Sequence, residues 1–306
     1  MVSFSCQLPF VQSLAGGHWQ AGFISLPAGT FAADPLTRLQ PPTASAPSIS
    51  GYYDRAVSRW LPVGREAVAP DGLHYAFTDR PDSYQQSPPS RATLHVVSVK
   101  TGVDLAFDGG YWFAPYYVLD YTAEGIYLYT SGEGQRYGLW LMNPATGAIK
   151  QVAALTDVLS SAGNKSFWVG SVNPSDPNPM PGMGGTPDQI EKFNLVDGSH
   201  SVWFYQPGSG VSFLGLDLAG HPIVSTYGPS GQPTAFFLVP SPGTRRSILT
   251  ATPPLSLLNG LASPGSPIAD SHGVWFGSPD GIYVYPETGG LQRVSTQPGF
   301  PANGCF

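Results

Sequence analysis

Six times along this chain of 306 residues, a short alternating apolar run leads into a turn ending in glycine and then into a second apolar run. The copies cover 23–29, 95–102, 139–147, 192–198, 236–243 and 282–289, ending on Gly29, Gly102, Gly147, Gly198, Gly243 and Gly289. Strict alternation is the mark of a half-buried strand, and the glycine supplies the positive φ that a tight hairpin needs. A second hairpin signal precedes most copies. Asp71-Gly72 stands before 74–77 and Glu124-Gly125 before 126–129, while Ala219-Gly220 precedes 222–224 and His272-Gly273 precedes 274–276, with a degenerate copy at 160–163. Each repeat therefore reads as four antiparallel strands, a to d, with one hairpin joining a to b and the glycine turn joining c to d. A period of about 45 to 50 residues is that of a propeller blade. The expectation is an all-β, six-bladed β-propeller of four-stranded antiparallel blades, a single domain over 1–306. A β-sandwich of similar strand content is the alternative, and six in-phase copies argue against it.

Composition agrees with short strands and tight turns rather than helices. There are 37 glycines and 32 prolines, aromatics make up 12%, and charged residues only 11%. An apolar fraction of 42% is enough for a large core. The net charge is −6 and the 14 basic residues are scattered, Arg245-Arg246 being the adjacent pair. Nucleic acid is excluded as a partner, because phosphate binding needs a basic stripe. No apolar run reaches the roughly 18 to 20 residues that span a bilayer, and residues 1–10 lack the features of a signal peptide. The chain is expected to be a mature or truncated form whose export segment lies outside it.

The chain ends suggest how the ring closes. The first repeat begins at strand b, near 7–11, with c near 22–26, and 299–306 can supply the missing inner strand a. The N- and C-termini would then share one blade. Cys6 opens strand b and Cys305 ends strand a, so a disulfide would stand in place of the absent a–b turn. By loop entropy such a bridge contributes on the order of 4 to 5 kcal/mol, and it implies an oxidising, extracytoplasmic compartment. Two insertions interrupt the period, at 41–50 and 173–188, and neither reads as a domain boundary.

In a propeller the b–c and d–a connections emerge on one face, around the channel mouth. The candidate ligand-binding residues there are Arg80, Asp82 and Tyr84 in one b–c loop and Arg136 with Tyr137 in the next. Tyr111 and Trp112 lie in the d–a connection, where packing between blades is the other reading. Aromatics beside Arg and Asp suit a sugar or a peptide. The inner a strands are expected to carry Glu66, Asp120, Asp217 and Asp270. Two such carboxyls could do acid–base work, but the three aspartates stand just before turns, where Asp commonly caps backbone. The segment 52–62 either lines a ligand site through Asp54, Arg55 and Arg59 or locks two blades through a buried Arg–Asp pair with Trp60 in the core. Six single histidines, without HxH or HExxH spacing, point to no metal site and no cofactor. His74 and His95 read as packed strand residues. Met180 and Met183 in the second insertion offer at most a soft copper pair.

The Asp71-Gly72 turn before an aromatic strand, followed by 95–102, resembles the repeats of TolB-like and WD40-like bacterial propellers, one blade well and the others loosely. The terminal cysteine pair and the Pro/Ser segment have no counterpart in that pattern. The resemblance implies a secreted or cell-surface propeller that binds protein, peptide or glycan, and it carries no catalytic motif. The expected function is an extracytoplasmic binding scaffold using the loop-rich channel mouth. The alternative is a carbohydrate- or small-molecule-active enzyme, a hydrolase or lyase, with channel carboxylates such as Glu66 or Asp120.

Overall fold

The protein was analysed as a computed structural model, which describes residues 4–13, 19–35, 51–79, 90–111, 114–130, 138–175, 187–250, 267–286 and 289–306. These form almost nothing but β-structure, in two compact units: Arg38–Ser161, and Met1–Thr37 together with Ala162–Phe306. Strands are numbered in chain order through both units.

The unit Arg38–Ser161 contains two four-stranded antiparallel meanders. The first runs β6 (His74–Asp79), β7 (Arg91–Ser98), β8 (Asp104–Tyr111) and β9 (Ala114–Pro115). The second runs β10 (Tyr117–Thr122), β11 (Gly125–Thr130), β12 (Gly138–Met142) and β13 (Ile149–Ala153). Alternation along these strands sends one set of side chains to a shared interior: Ala76, Leu94 and Val96 of the first sheet pack with Ile126, Leu128, Trp140 and Met142 of the second. A separate hairpin, β4 (Tyr52–Asp54) and β5 (Arg59–Leu61), precedes them.

The expected inner strand before β6 is not a strand. Arg65–Ala67 form a single 3-10 turn, and Val68 makes one isolated bridge to Tyr75. Pro70 so close to the turn withholds a ladder donor, and the fourth strand of this sheet is instead the outer β9. The hairpin also departs from expectation. Asp54 is buried, but its Oδ1 accepts from the Ala56 amide (2.8 Å), whereas Arg59 donates to the Val99 carbonyl (2.7 Å). Trp60 packs on Tyr53 with ring centroids 5.1 Å apart and planes tilted by 56°. Asp54 and Arg59 thus use other partners.

The other unit holds β1 (Cys6–Ser13), β2 (Trp19–Leu26) and β3 (Thr30–Ala33), then the meander β15 (Ser166–Ser171), β16 (Gln189–Asn194) and β17 (His200–Tyr205), whose first strand is β14 (Val158–Gly163). It continues through β18 (Gly210–Leu216), β19 (Pro222–Tyr227), β20 (Pro233–Ser241) and β21 (Thr244–Thr250). The last strands are β22 (Ile268–Asp270), β23 (Gly273–Ser278), β24 (Gly281–Tyr285), β25 (Gln292–Ser295) and β26 (Gly299–Pro301). Ile223, Phe236 and Leu238 pack face to face against Val274, Phe276 and Tyr283, and the opposite face of the β22–β25 meander, with Trp275 and Val284, covers Leu8, Phe10 and Ile24.

The glycine turns between third and fourth strands are nearly superimposable in backbone terms. Gly29, Gly102, Gly147 and Gly198 all lie at φ 70–72°. Each donates its amide to the carbonyl four residues back, at 2.8–2.9 Å. At Gly147 the requirement is double, since an added Cβ would also meet the Phe107 ring.

β26 pairs antiparallel with β1 through Phe10↔Pro301, Val11↔Phe300 and Gln12↔Gly299. Beyond it, Gln7 and Phe306 exchange backbone hydrogen bonds at 2.7 and 3.0 Å, and Cys6 and Cys305 are joined with their Cα atoms 5.7 Å apart. A third tie comes from Asp270. Its Oδ1 accepts from the His272 amide (2.7 Å), closing the β22–β23 turn, while its Oδ2 accepts from the Cys305 amide (2.6 Å). Gly304 permits that approach, because a Cβ there would lie 2.7 Å from the Asp270 Cβ. Replacing both Cys6 and Cys305 by Ser is expected to lower unfolding free energy by about 2–5 kcal/mol. Asp270→Ala is expected to cost about 1–3 kcal/mol through the unsatisfied amides. Urea unfolding of the two variants beside the parent measures both, and an unchanged midpoint for the serine pair would show that strand pairing alone holds the ends.

Candidate functional site

Of the residues expected at the loop-rich mouth, Arg80, Asp82, Tyr84, Trp112, Arg136 and Tyr137 lie outside the described residues, as do Met180 and Met183. Tyr111 is described, at the end of β8 and exposed. The Arg91 guanidinium lies over its ring, 4.5 Å from the centroid. Arg91 is in turn gripped by Asp108, with Nε donating to Oδ1 at 2.8 Å and Nη2 to Oδ2. That hydrogen bond is the largest influence on the Asp108 carboxyl, which it holds below the usual range. β-Pairing aligns Arg91 with Tyr111 across the ladder, so strand register sets up the stack. The outcome is an exposed cation–aromatic–carboxylate group at the end of β8.

The four carboxyls expected on inner strands divide by environment. Asp217 follows β18 and accepts from the Ala219 and His221 amides at 2.9 and 2.8 Å, with its second oxygen on His221 Nδ1 at 2.9 Å. Asp270 does the same kind of turn work. These two are structural, as their place before a turn predicts. Asp120 is a correction. It stands five residues before its turn glycine, and Thr122 takes the capping place, accepting from the Glu124 amide at 3.3 Å. Its counterpart in the β18–β19 pair is Gly215, which follows the same register shift after Phe213 that Asp120 follows after Val118. A carboxylate at this register does not recur, so the repeat offers no structural reason for it.

Glu66 is likewise not on a strand, but on the 3-10 turn that packs against β10. Its carboxyl curls back over Gly64, where an added Cβ would fall 2.2 Å from Oε1. The side chain has solvent-accessible surface, yet protein surrounds it densely. Desolvation raises its pKa most, its own backbone amide lowers it, Asp120 raises it further and Arg65 opposes. Asp120, half-buried, is also raised by desolvation, against a hydrogen bond from Ser161. Opposite it on β11, Tyr127 is pushed up to about 12 by burial, by its hydrogen bond to Glu124 and by the fields of Glu124 and Asp120. Two carboxyls that both resist ionisation, with Glu66 in the field of Asp120, are what acid–base chemistry uses and what turn capping does not. Sequence spacing could have found the pair: counting back from each turn glycine already separates Asp120 from Asp217 and Asp270.

His95 is buried, as expected, stacked on Phe77 at 4.6 Å with Nδ1 on Asp104. His74 is only partly covered. Among the described residues no group of three His, Cys, Asp or Glu is placed to hold a metal ion. No helix of the described residues is long and apolar enough to cross a membrane.

No protein-family model matches this chain, and no curated protein matches it in sequence. Solved structures do resemble it. The tricorn protease is 12% identical, with a TM-score of 0.48, over 95% of this chain and 26% of its own. TolB from Acinetobacter baumannii is 12% identical, TM-score 0.47, over 94% of this chain and 65% of its own. The β-propeller domain of the Trilobed protease from Pyrococcus furiosus is 12% identical, TM-score 0.46, over 96% of this chain and 86% of its own. The chain thus spans about a quarter of the tricorn protease. At this degree of likeness nothing about activity passes from them to this chain. The fold rests on the chain's own sheets, whose repeated four-stranded antiparallel meander is the building unit of a propeller.

A carboxyl with a raised folded-state pKa costs stability when it ionises. The cost is absent below the unfolded value and complete above the folded one. Asp120→Asn is therefore expected to be more stable than the parent near about pH 7, with the advantage vanishing as pH falls toward the ordinary value of 3.8. Glu66→Gln should follow the same sign, weakened because water reaches the group. Denaturant titrations across that range check it, and a parent more stable at neutral pH would show the carboxylates to be satisfied as ions.

Proposed function

We propose that this chain is a six-bladed β-propeller acting outside the cytoplasm as a binding scaffold for a protein, peptide or glycan. The sheets supporting six blades are β6–β9, β10–β13, β14–β17 and β18–β21, together with an eight-stranded sheet in which β22–β25 and the set β26 with β1–β3, read as two blades, meet at the single pair Ser278↔Gly299. The last combination, beside the Cys6–Cys305 bridge, supports termini joined in one blade and an oxidising compartment. Binding is placed on the connections between second and third strands and between successive blades. Arg80, Asp82, Tyr84, Trp112, Arg136 and Tyr137 would extend the surface that begins at Tyr111. The observation that carries this reading is the Arg91–Tyr111 stack pinned by Asp108, an exposed aromatic whose orientation is set before any ligand arrives. A preorganised aromatic loses little freedom on binding, which is why such groups dominate recognition surfaces.

The test is an array of glycans and peptides probed with the parent and with Tyr111→Ala, followed by titration of any ligand found. At least a tenfold loss in the variant, with unchanged thermal midpoint, is expected. A ligand bound equally by both would move the surface elsewhere. Trapping free thiols on the protein from its native source is expected to find Cys6 and Cys305 oxidised.

A second reading is favoured by the Glu66–Asp120 pair: a hydrolase or lyase in which the protonated carboxyl donates to a leaving oxygen and the ionised one accepts a proton. It predicts turnover of a carbohydrate or small acid that Asp120→Asn and Glu66→Gln each abolish. A panel of chromogenic glycosides and uronides without turnover would leave the binding reading alone.

A further inference from the structure

The hairpin turns at the other end of the two meanders in Arg38–Ser161 enclose a groove of about 420 Å³. Three turns make it: that before β6, that between β10 and β11, and that after β12. The residues that give it chemistry are Asp71, His74, Tyr121, Glu124, Asn143 and Pro144, and no Lys or Arg lines it. We propose that this groove binds an organic cation on an apolar stem, namely the guanidinium or ammonium of an arginine or lysine side chain in a peptide.

The walls are set in advance. Asp71 Oδ1 accepts from the Leu73 amide (2.8 Å), Thr122 donates to the Gly125 carbonyl (3.0 Å), and Asn143 Oδ1 accepts from the Ala145 amide (2.9 Å). Each turn is thus closed by its own side chain, and none must reorganise to receive a ligand. Asp71 and Glu124 both line the groove, from different turns. Asp71 Oδ2 makes no hydrogen bond among the described residues, and one oxygen of Glu124 is oriented by the Tyr127 hydroxyl at 3.1 Å. Asp71 is close enough to Tyr121 to bear on its ionisation. Tyr121 and His74 add aromatic lining, Tyr121 only by its exposed margin, and Ala69, Ala123 and Pro144 add apolar lining, a combination that suits a planar cation with a methylene stem. The volume admits one such side chain with its backbone rather than a folded domain. With a net charge of −6, the protein as a whole also draws cations in. This site is separate from the Tyr111 surface and stands whether or not that surface binds.

The experiment uses the full chain, labelled with ¹⁵N, titrated with acetyl-Ala-Arg-Ala-amide and with the same peptide carrying citrulline, which keeps the planar shape but loses the charge and replaces one nitrogen donor group with a carbonyl acceptor. Saturable shifts confined to the amides near 71–74, 121–125 and 143–144 are expected with the arginine peptide. The citrulline peptide should bind at least tenfold more weakly. Asp71→Asn and Glu124→Gln, which keep the oxygen that each turn or tyrosine uses, should each weaken the arginine peptide at least threefold while leaving the thermal midpoint unchanged. Butylguanidine, a guanidinium on an apolar stem without a peptide, distinguishes a small-cation site: if it binds as tightly as the peptide, the peptide assignment fails. Equal binding of citrulline, or no saturable shift at the groove at millimolar peptide, overturns the proposal.

Discussion

A four-stranded antiparallel meander has two faces, and where both are apolar each must be covered by another sheet. Most of what this chain displays follows from that constraint. Val274 and Trp275 are neighbours on one strand, yet Val274 packs toward Phe236 and Trp275 toward Phe10, so the β22–β25 meander is buried on both sides. With so much surface committed to sheet-on-sheet contact, few positions remain for charge, and the charged fraction falls to 11%. Short strands and abundant turns then account for the glycine and proline content, because each meander needs its hairpins within a few residues of the core.

A strand near a chain terminus exposes an unpaired edge unless another strand covers it. Here β26 adds to β1 across nearly the whole length of the chain, and three kinds of bond hold it: ladder pairing, the disulfide, and the Asp270 carboxylate on the Cys305 amide. Covalent closure alone would leave Phe300 and Ala302 free to shift in register. The ladder with Phe10 and Val11 removes that freedom. Asp270 couples the closure to a hairpin of the neighbouring meander, so the turn and the latch share one side chain.

Local signals proved legible and long-range ones less so. The glycine turns at 29, 102, 147 and 198 share one backbone conformation because a single requirement, positive φ after a strand, selects one residue type. The cysteine pair was legible because both lie near the termini. The strand before β6 was misread, since alternation around Glu66 and Val68 looks extended while the Arg65–Ala67 segment closes on itself as a 3-10 turn. Asp54 and Arg59 stand opposite each other on the β4–β5 ladder, yet Asp54 satisfies the Ala56 amide of its own turn and Arg59 the Val99 carbonyl. The groove at Asp71 and Glu124 was invisible in sequence, because it is made by three turns whose proximity only sheet packing creates.

The pairing of β1 with β26 also has a consequence in time. A chain made from its N-terminus exposes the β1 edge, with its unpaired amides, until residue 299 has been synthesised. The partners Cys6 and Cys305, 299 positions apart, cannot meet before then. Interior meanders such as β10–β13 close on neighbours within tens of residues, whereas β1 waits for a strand nearly 300 residues later. Nascent chains would therefore spend that interval with one strand open to another molecule's edge.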